Sequence, residues 1–162
     1  MHRMTFHTAL GTCALKWDET GITSFALPEA VATETDVAHG PPHIDALIER
    51  VRVHLQGEMQ DFSGERFAFH LVPAFARRVY AATLTVKPGQ TSTYGEIAAS
   101  IGESPALSRA VGSALGANPW PLLIPCHRIV AANGKMTGFS GPGGVNTKVK
   151  LLALEGAQLF AE

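Results

Sequence analysis

Residues 93–118 read TYGEIAASIGESPALSRAVGSALGAN and contain the clearest helix signals in the second half of the chain. Thr93 and Glu96 have the spacing of a capping box, in which each side chain bonds a free N–H group at the start of a helix. We expect that helix to stop at Gly102. A second helix is predicted to begin at Ser104, which would act as its N-cap. Two short helices joined by a tight turn predict a helix-turn-helix, although most such pairs only pack a core.

Strand and helix patterns flank this stretch on both sides. Alternating residues predict a hairpin of two strands and one later strand, at 12–17, 22–27 and 67–71. Apolar residues at helical spacing predict three more helices, at 44–55, 75–86 and 147–154. The second helix of the helix-turn-helix would point Leu107, Val111, Ala114 and Leu115 inward. A domain boundary is predicted at Pro73.

The amino-acid composition limits the classes to which this protein can belong. The 162 residues are 46% hydrophobic and 17% charged, which is enough to bury a core. No apolar run approaches the roughly 20 residues that cross a bilayer, and residues 1–7 lack the apolar core of a secretory signal, so we expect a cytoplasmic protein without membrane contact.

Charge is distributed unevenly along the chain. The net charge of −1 argues against a strongly basic nucleic-acid binder, but it combines −5 over residues 1–73 with +4 over residues 74–162. Any polyanion would therefore meet the second half, although chance alone also produces an asymmetry of this size.

Cys126 is the residue best suited to chemistry. Two cysteines are too few for a disulfide framework or a cysteine-rich zinc site. Cys13 lies in a predicted strand without polar company and fits a packing role, which is the usual state of a free cysteine. Cys126 lies in the apolar run 122–130, LLIPCHRIV, and is followed directly by His127 and Arg128. Polar groups inside such a run are costly unless they line a site, and a neighbouring base or cation promotes the thiolate.

The residues around Cys126 resemble the active-site signature of the methylated-DNA–protein-cysteine methyltransferases, also called O6-alkylguanine-DNA alkyltransferases. The resemblance extends from about residue 75 to residue 156. It includes, in order and with matching spacing, TYGE at 93–96, RAVG at 109–112, ANP at 117–119, IPCHRIV at 124–130 and LEG at 154–156.

This resemblance implies a two-part fold and a repair reaction. Residues 1–72 would form a small α/β (α+β) domain with a short antiparallel sheet, and residues 73–162 a mostly α-helical, winged-helix-like domain that carries the helix-turn-helix. The protein would move the alkyl group of O6-methylguanine, or less readily O4-methylthymine, onto its own cysteine. Each molecule would act once, as a monomer on double-stranded DNA and without a cofactor.

Five catalytic residues follow from the resemblance. Cys126 would accept the alkyl group, His127 would take the thiol proton through a water, and Glu155 would orient His127. Tyr94 would donate to the flipped base, and Asn118 would tie the recognition helix to the active-site turn. The ordinary alternatives are a core histidine, a carboxylate in a last helical turn, a packed aromatic ring and a helix C-cap.

The resemblance also implies how the protein would hold DNA. Arg109 would enter the base stack and occupy the space of the extruded nucleotide. The small residues Ala110, Gly112 and Ser113 would let the second helix approach the minor groove closely, and Arg128 is a further expected DNA contact. The ordinary alternative for Arg109 is a solvated surface arginine.

The substrate pocket is expected at Pro121, Ile129, Phe139 and Ser140. The carbonyl groups of Cys126 and Ile129 would accept from the guanine amino group. Phe139 stands where many family members have a tyrosine, so we expect one hydroxyl donor fewer at the base oxygen. The glycine-rich loop around Ser140 lacks the spacing and the Lys-Ser/Thr ending of a phosphate-binding loop.

Two other functions stay open at this stage. An alkyltransferase-like protein would bind the lesion but would lack the acceptor cysteine. The presence of Cys126 argues against this alternative. A regulator that acts through its methylated form would need a further DNA-binding domain and an activating cluster around Cys13. We predict no metal, because family zinc lies in an N-terminal Cys/His cluster and the histidines of the first half show no ligand spacing.

Overall fold

The computed structural model describes residues 1–132 and 144–157, with side chains from residue 147 in the second range. It consists of a three-stranded antiparallel sheet followed by a mostly helical remainder. The strands are β1 (His2–Thr8), β2 (Gly11–Asp18), β3 (Gly21–Ala26), β4 (Ser92–Thr93) and β5 (Ile129–Val130). The helices are α1 (Pro42–Leu55), α2 (Ala74–Thr83), α3 (Tyr94–Ser100), α4 (Ser108–Gly116) and α5 (Gly144–Leu154), and single 3₁₀ turns occur at Pro28–Ala30, Phe69–Leu71, Pro105–Leu107 and Cys126–Arg128.

The predicted hairpin is present as β2 and β3. The Asp18 carboxylate accepts from the backbone N–H of Thr20 at 2.8 Å and closes the turn. Gly21 follows at φ +132°, and a Cβ there would lie 2.3 Å from the carbonyl oxygen of Arg66. Only glycine fits this position, because the backbone has a positive φ there and the neighbouring 66–68 segment leaves no room for a Cβ.

Strand β1 pairs with β2 along its whole length and was not predicted from the sequence. Its pattern is hard to recognise because two of its three buried side chains, Arg3 and Thr8, are polar. The Arg3 guanidinium is accommodated by an ion pair with Asp36 at 2.6 Å.

The strand predicted at 67–71 is wrong. Only Phe67 makes a bridge, to Ile22 of β3, and Phe69–Leu71 is a 3₁₀ turn. The alternation of the two phenylalanines instead reflects a shared partner, since both rings pack against Trp120 with centroids 5.5 and 5.6 Å away. Leu71 is 53% exposed.

The helix-turn-helix begins as predicted. Thr93 Oγ1 accepts from the N–H of Glu96 at 3.0 Å, and the Glu96 carboxylate accepts from the N–H of Thr93 at 2.9 Å. The second helix starts later than predicted, because Ser104 caps a 3₁₀ turn and α4 begins only at Ser108. That turn shifts Leu107 out of the helical phase, so Leu107 is 37% exposed rather than buried.

The other helices differ from prediction only at their ends. Helix α1 buries the predicted face, α2 ends at Thr83 rather than near Val86, and α5 begins at Gly144 rather than Thr147. Such shifts of a turn are common, since apolar spacing does not mark the cap. In the part of the chain that the structure describes, no helix combines the length and apolarity needed to span a membrane.

One hydrophobic core extends through both halves of the chain. Trp120 lies at the junction, fully buried, and its indole N–H donates to the carbonyl of Ile22 at 2.8 Å. The N–H of Phe25 donates to the carbonyl of Pro119 at 2.9 Å. The division at residues 72 and 73 stays a prediction, because packing is continuous across it.

Candidate active site

Cys126 begins the 3₁₀ turn that leads into β5. Strand β5 pairs in parallel with β4, which immediately precedes α3, so the cysteine lies beside the start of the helix-turn-helix. Asn118, just after α4, donates from Nδ2 to the carbonyl of Ile124 at 2.9 Å and accepts from the N–H of Trp120 at 2.9 Å. The end of α4 and the segment before Cys126 are thereby held together.

The Cys126 thiol is almost fully buried, with 6% of the residue exposed. Burial raises its pKa, while a hydrogen bond from Asn118 and the positive charge of Lys148 act in the opposite direction. At neutral pH the group is therefore a thiol. Cysteine reacts as the thiolate, so this site needs a base.

His127, the residue after Cys126, forms a buried pair with Glu155. Nε2 of His127 lies 2.9 Å from Oε1 of Glu155, and neither side chain is exposed. Burial alone would raise the pKa of the Glu155 carboxyl, but hydrogen bonds from Arg128, His127 and His54 outweigh it and hold the pKa far below its usual range. Glu155 is therefore an acceptor only, so His127 carries its proton on Nε2.

The other ring nitrogen of His127 is suited to accept a proton. Burial lowers the pKa of His127 more than Glu155 raises it, so the imidazole is neutral at pH 7. With the proton on Nε2, Nδ1 has a free lone pair. No residue within the described ranges gives the buried Nδ1 a hydrogen bond.

The structure corrects the expectation that Arg128 contacts DNA. Arg128 is only 5% exposed. Its Nε and one terminal nitrogen donate to the two oxygens of Glu155 at 2.9 and 2.8 Å, and the other terminal nitrogen donates to the carbonyl of Val86 at 2.7 Å. The guanidinium neutralises the buried carboxylate, and a phosphate contact would require it to leave that partner.

Lys148 is a site residue that the sequence reasoning missed. It is 1% exposed, and its Nζ donates to the carbonyl of Ile129 at 2.5 Å and lies 5.9 Å from the centre of the Tyr94 ring. Burial lowers its pKa to about 8, opposed by the Cys126 charge. The sequence does contain a signal for this residue. Lys148 and Glu155 are seven residues apart, so helical spacing places both on the face of the last predicted helix that also carries the apolar Leu151.

His54 was also missed, and its sequence context carries no sign of it. It lies in α1 of the first half, fully buried, with Nε2 at 2.9 Å from Oε2 of Glu155. The local pattern of an amphipathic helix does not indicate that a histidine on its inner face contacts a residue 101 positions later in the chain.

The expected DNA-contacting residues lie along α4. Arg109 and Ser113 are exposed on one side of the helix, and Ala110 and Gly112 are half-buried. Gly112 faces the half-buried Tyr94 ring, which an added Cβ would meet at an ordinary 3.9 Å. Tyr94 and α4 therefore lie side by side, and their contact with DNA stays a prediction.

The expected pocket is described in part. The Ile129 side chain is buried, and the Ile129 carbonyl already accepts from Lys148. The carbonyl of Cys126 accepts from the N–H of Ile129. Pro121 is half-buried in a turn with Ile124, while Phe139 and Ser140 lie outside the described residues.

A metal-binding cluster would need three or more His, Cys, Asp or Glu side chains in one place. Within residues 1–132 and 144–157, no group of such side chains is arranged so that it could hold a metal ion.

Residues 74–157 match the family model described as the 6-O-methylguanine DNA methyltransferase DNA-binding domain. A curated methylated-DNA–protein-cysteine methyltransferase of Methanothermobacter thermautotrophicus is 36% identical over 88% of this chain and 78% of its own length. The enzyme of the same name from Mycobacterium tuberculosis is 33% identical over 100% of this chain and 96% of its own.

Solved structures agree with these matches. The crystal structure of Mycobacterium tuberculosis O6-methylguanine methyltransferase superposes with a TM-score of 0.79 at 32% identity, covering 99% of this chain and 96% of that one. Mycobacterium tuberculosis OGT in complex with DNA superposes with a TM-score of 0.79 at 33% identity, covering 96% and 93%.

Proposed function

Because this chain belongs to the methylated-DNA–protein-cysteine methyltransferase family, a DNA-repair family that transfers alkyl groups, we propose that Cys126 is its acceptor and that O6-methylguanine in duplex DNA is its main substrate. O4-methylthymine would be a lesser substrate. The observation that carries the proposal is the buried thiol beside a neutral histidine whose proton is held on Nε2 by Glu155.

The first step is removal of the thiol proton. Nδ1 of His127 receives the proton through a bridging water, and the imidazolium that forms is stabilised by the Glu155 carboxylate. The Lys148 ammonium lies close enough to influence the pKa of Cys126, and it stabilises the thiolate. Burial, which raises the pKa of the resting thiol, also makes the thiolate a poorly solvated and reactive nucleophile.

Alkyl transfer is then a single displacement. The Cys126 sulfur forms a bond to the alkyl carbon as the bond from that carbon to guanine O6 breaks, and the electron pair stays on the base. Tyr94 donates a hydrogen bond to the departing base. The base takes up one proton and becomes neutral guanine, and His127 gives up the proton that it took from the thiol, so the number of protons balances. The product is a thioether, from which the alkyl group does not return, so each molecule acts once.

Access to the buried thiol requires the damaged nucleotide to leave the stack. Arg109 lies on the exposed side of α4 and would occupy the vacated space while the small residues of α4 rest in the minor groove. Binding by a monomer fits this arrangement, because the thiol, its base and the α4 surface all belong to one chain.

Intact-mass measurement after incubation with an excess of methylated duplex tests the proposal. Wild-type protein and the control variant Cys13→Ala should each gain one methylene mass per molecule, and Cys126→Ala should gain none while still binding the lesion. Cys13 suits the control because it is buried in β2 and its pKa is raised to about 11 by burial. A methyl group on Cys13 would refute the assignment. Binding without any mass gain would identify a lesion-binding protein instead.

A further inference from the structure

The first half of the chain contributes a buried side chain to the hydrogen-bond network of the active site. His54, near the end of α1, places Nε2 2.9 Å from Oε2 of Glu155, and neither side chain is exposed. The mechanism proposed above uses the other oxygen, Oε1, which faces His127. His54 is therefore one step removed from the base.

The tautomer of His54 is determined by its two neighbours. The backbone N–H of Gln60 donates to Nδ1 at 3.0 Å, so Nδ1 carries a lone pair. Glu155 is ionised and only accepts, so Nε2 carries the proton. A proton on Nδ1 as well would point at the N–H of Gln60, so two donors would face each other without an acceptor. The ring is further held by Phe62, with centroids 5.4 Å apart, so His54 is a neutral donor of fixed direction.

Glu155 has two donors on each oxygen. Oε1 accepts from His127 and from Nε of Arg128, and Oε2 accepts from His54 and from a terminal nitrogen of Arg128. Without His54, the fork of Arg128 would be the only described hydrogen-bond contact on Oε2, and the carboxylate would be free to tilt with the long arginine side chain. Any tilt changes the contact of Oε1 with His127, since both oxygens move as one rigid group.

We propose that His54 is a positioning residue for alkyl transfer: its Nε2–H holds the Glu155 carboxylate so that Oε1 keeps the His127 proton on Nε2. This inference rests on the proposed function, because it assumes that His127 is the base. It assigns part of the catalytic arrangement to α1. A neutral donor suits this place, because a second cation beside Arg128 would oppose the imidazolium that forms on His127.

Three variants separate this role from simple packing. His54→Leu removes both hydrogen bonds, His54→Asn keeps an acceptor near Gln60 but is too short to reach Glu155, and His54→Gln places an amide donor where Nε2 was. Val51→Ala is the matched control, because it removes buried apolar volume from the same helix and takes away no hydrogen-bonding group.

Single-turnover kinetics give the first readout. We expect the Leu and Asn variants to lower the maximal transfer rate about tenfold, the low end for outer hydrogen-bond partners of an active-site group. The Gln variant should stay within about twofold of wild type, and the Kd for DNA should not change in any of them. The Val51 control should lose stability but keep its rate. Equal rates for the Leu and Gln variants, or a loss of rate in the Val51 control equal to that of the Leu variant, would overturn the proposal.

The ¹⁵N shifts of the imidazole rings give a second readout that needs no alkyl transfer. In the wild type both His54 and His127 should appear with the proton on Nε2. In His54→Leu and His54→Asn, His127 should become a mixture of tautomers, and His54→Gln should restore the single form. An unchanged His127 tautomer in the Leu and Asn variants would refute the positioning role. Absence of alkyl transfer by the wild type would instead refute the proposed function, and the shifts would still decide the role of His54.

Discussion

Replacing Glu155 by glutamine should reduce stability strongly at neutral pH and less strongly in acid. The substitution keeps the size of the side chain but removes the charge that neutralises Arg128, which is 5% exposed. It also turns an N–H₂ group toward donors that now point at a carboxylate oxygen. Loss of one partner from a buried ion pair costs about 3–5 kcal/mol, so we expect the free energy of unfolding to fall by that amount near pH 7.

The pH dependence follows from the depressed pKa of this carboxyl. In the unfolded chain its pKa is the ordinary 4.5, and in the folded protein it is far lower. Above pH 4.5 both states are ionised and the full stabilisation is present. As the pH falls below 4.5 the unfolded state binds a proton that the folded state does not bind. The stabilisation therefore declines by about 1.4 kcal/mol per pH unit.

Urea unfolding of wild type and Glu155→Gln at about pH 7 and about pH 3.5 measures both effects. The difference between the two proteins should shrink by about 1.4 kcal/mol at the lower pH, one unit below the unfolded pKa. Glu103→Gln is the control: its ion pair with Arg78 is 3.1 Å long but lies at the surface, so its loss should cost less than about 1 kcal/mol. A difference for Glu155→Gln below 1 kcal/mol, or one equal at both pH values, would refute the reasoning.

Two further predictions concern DNA and the fold. Arg109→Ala should slow repair of duplex DNA by roughly tenfold, because the arginine offsets only part of the few kcal/mol that extruding a base costs. Its reaction with free O6-benzylguanine should be unchanged, since a free base needs no extrusion, and equal losses on both substrates would point to a pocket defect. Gly21→Ala should lower the free energy of unfolding by at least about 2 kcal/mol, because alanine resists φ +132° and its Cβ would strike the carbonyl of Arg66. Unchanged unfolding in urea would contradict that account, and Gly64→Ala, where an added Cβ meets nothing within 4 Å, is the matched control.

Most of the scaffold around the cysteine could be predicted from local sequence. The capping box at Thr93, the hairpin turn before Gly21 and the inner face of α1 all act within a few residues, so neighbouring residues specify them. The predictions from sequence were wrong where contacts with distant residues determine the local structure. The alternation at Phe67 and Phe69 looked like a strand, but only Phe67 makes a β-bridge and Phe69 begins a 3₁₀ turn, while both rings pack against the distant Trp120.

The amino-acid order alone shows that Cys126 stands among polar residues in an apolar run and that a histidine follows it directly. These are facts of order along the chain. The roles of the charged residues depend on contacts that exist only in the folded protein. Arg128 turns inward to Glu155 rather than outward to DNA, Lys148 is buried near the thiol, and His54 arrives from the other half of the chain. A buried charge needs a partner close to it in space, and local sequence does not specify which distant residue folding brings to it.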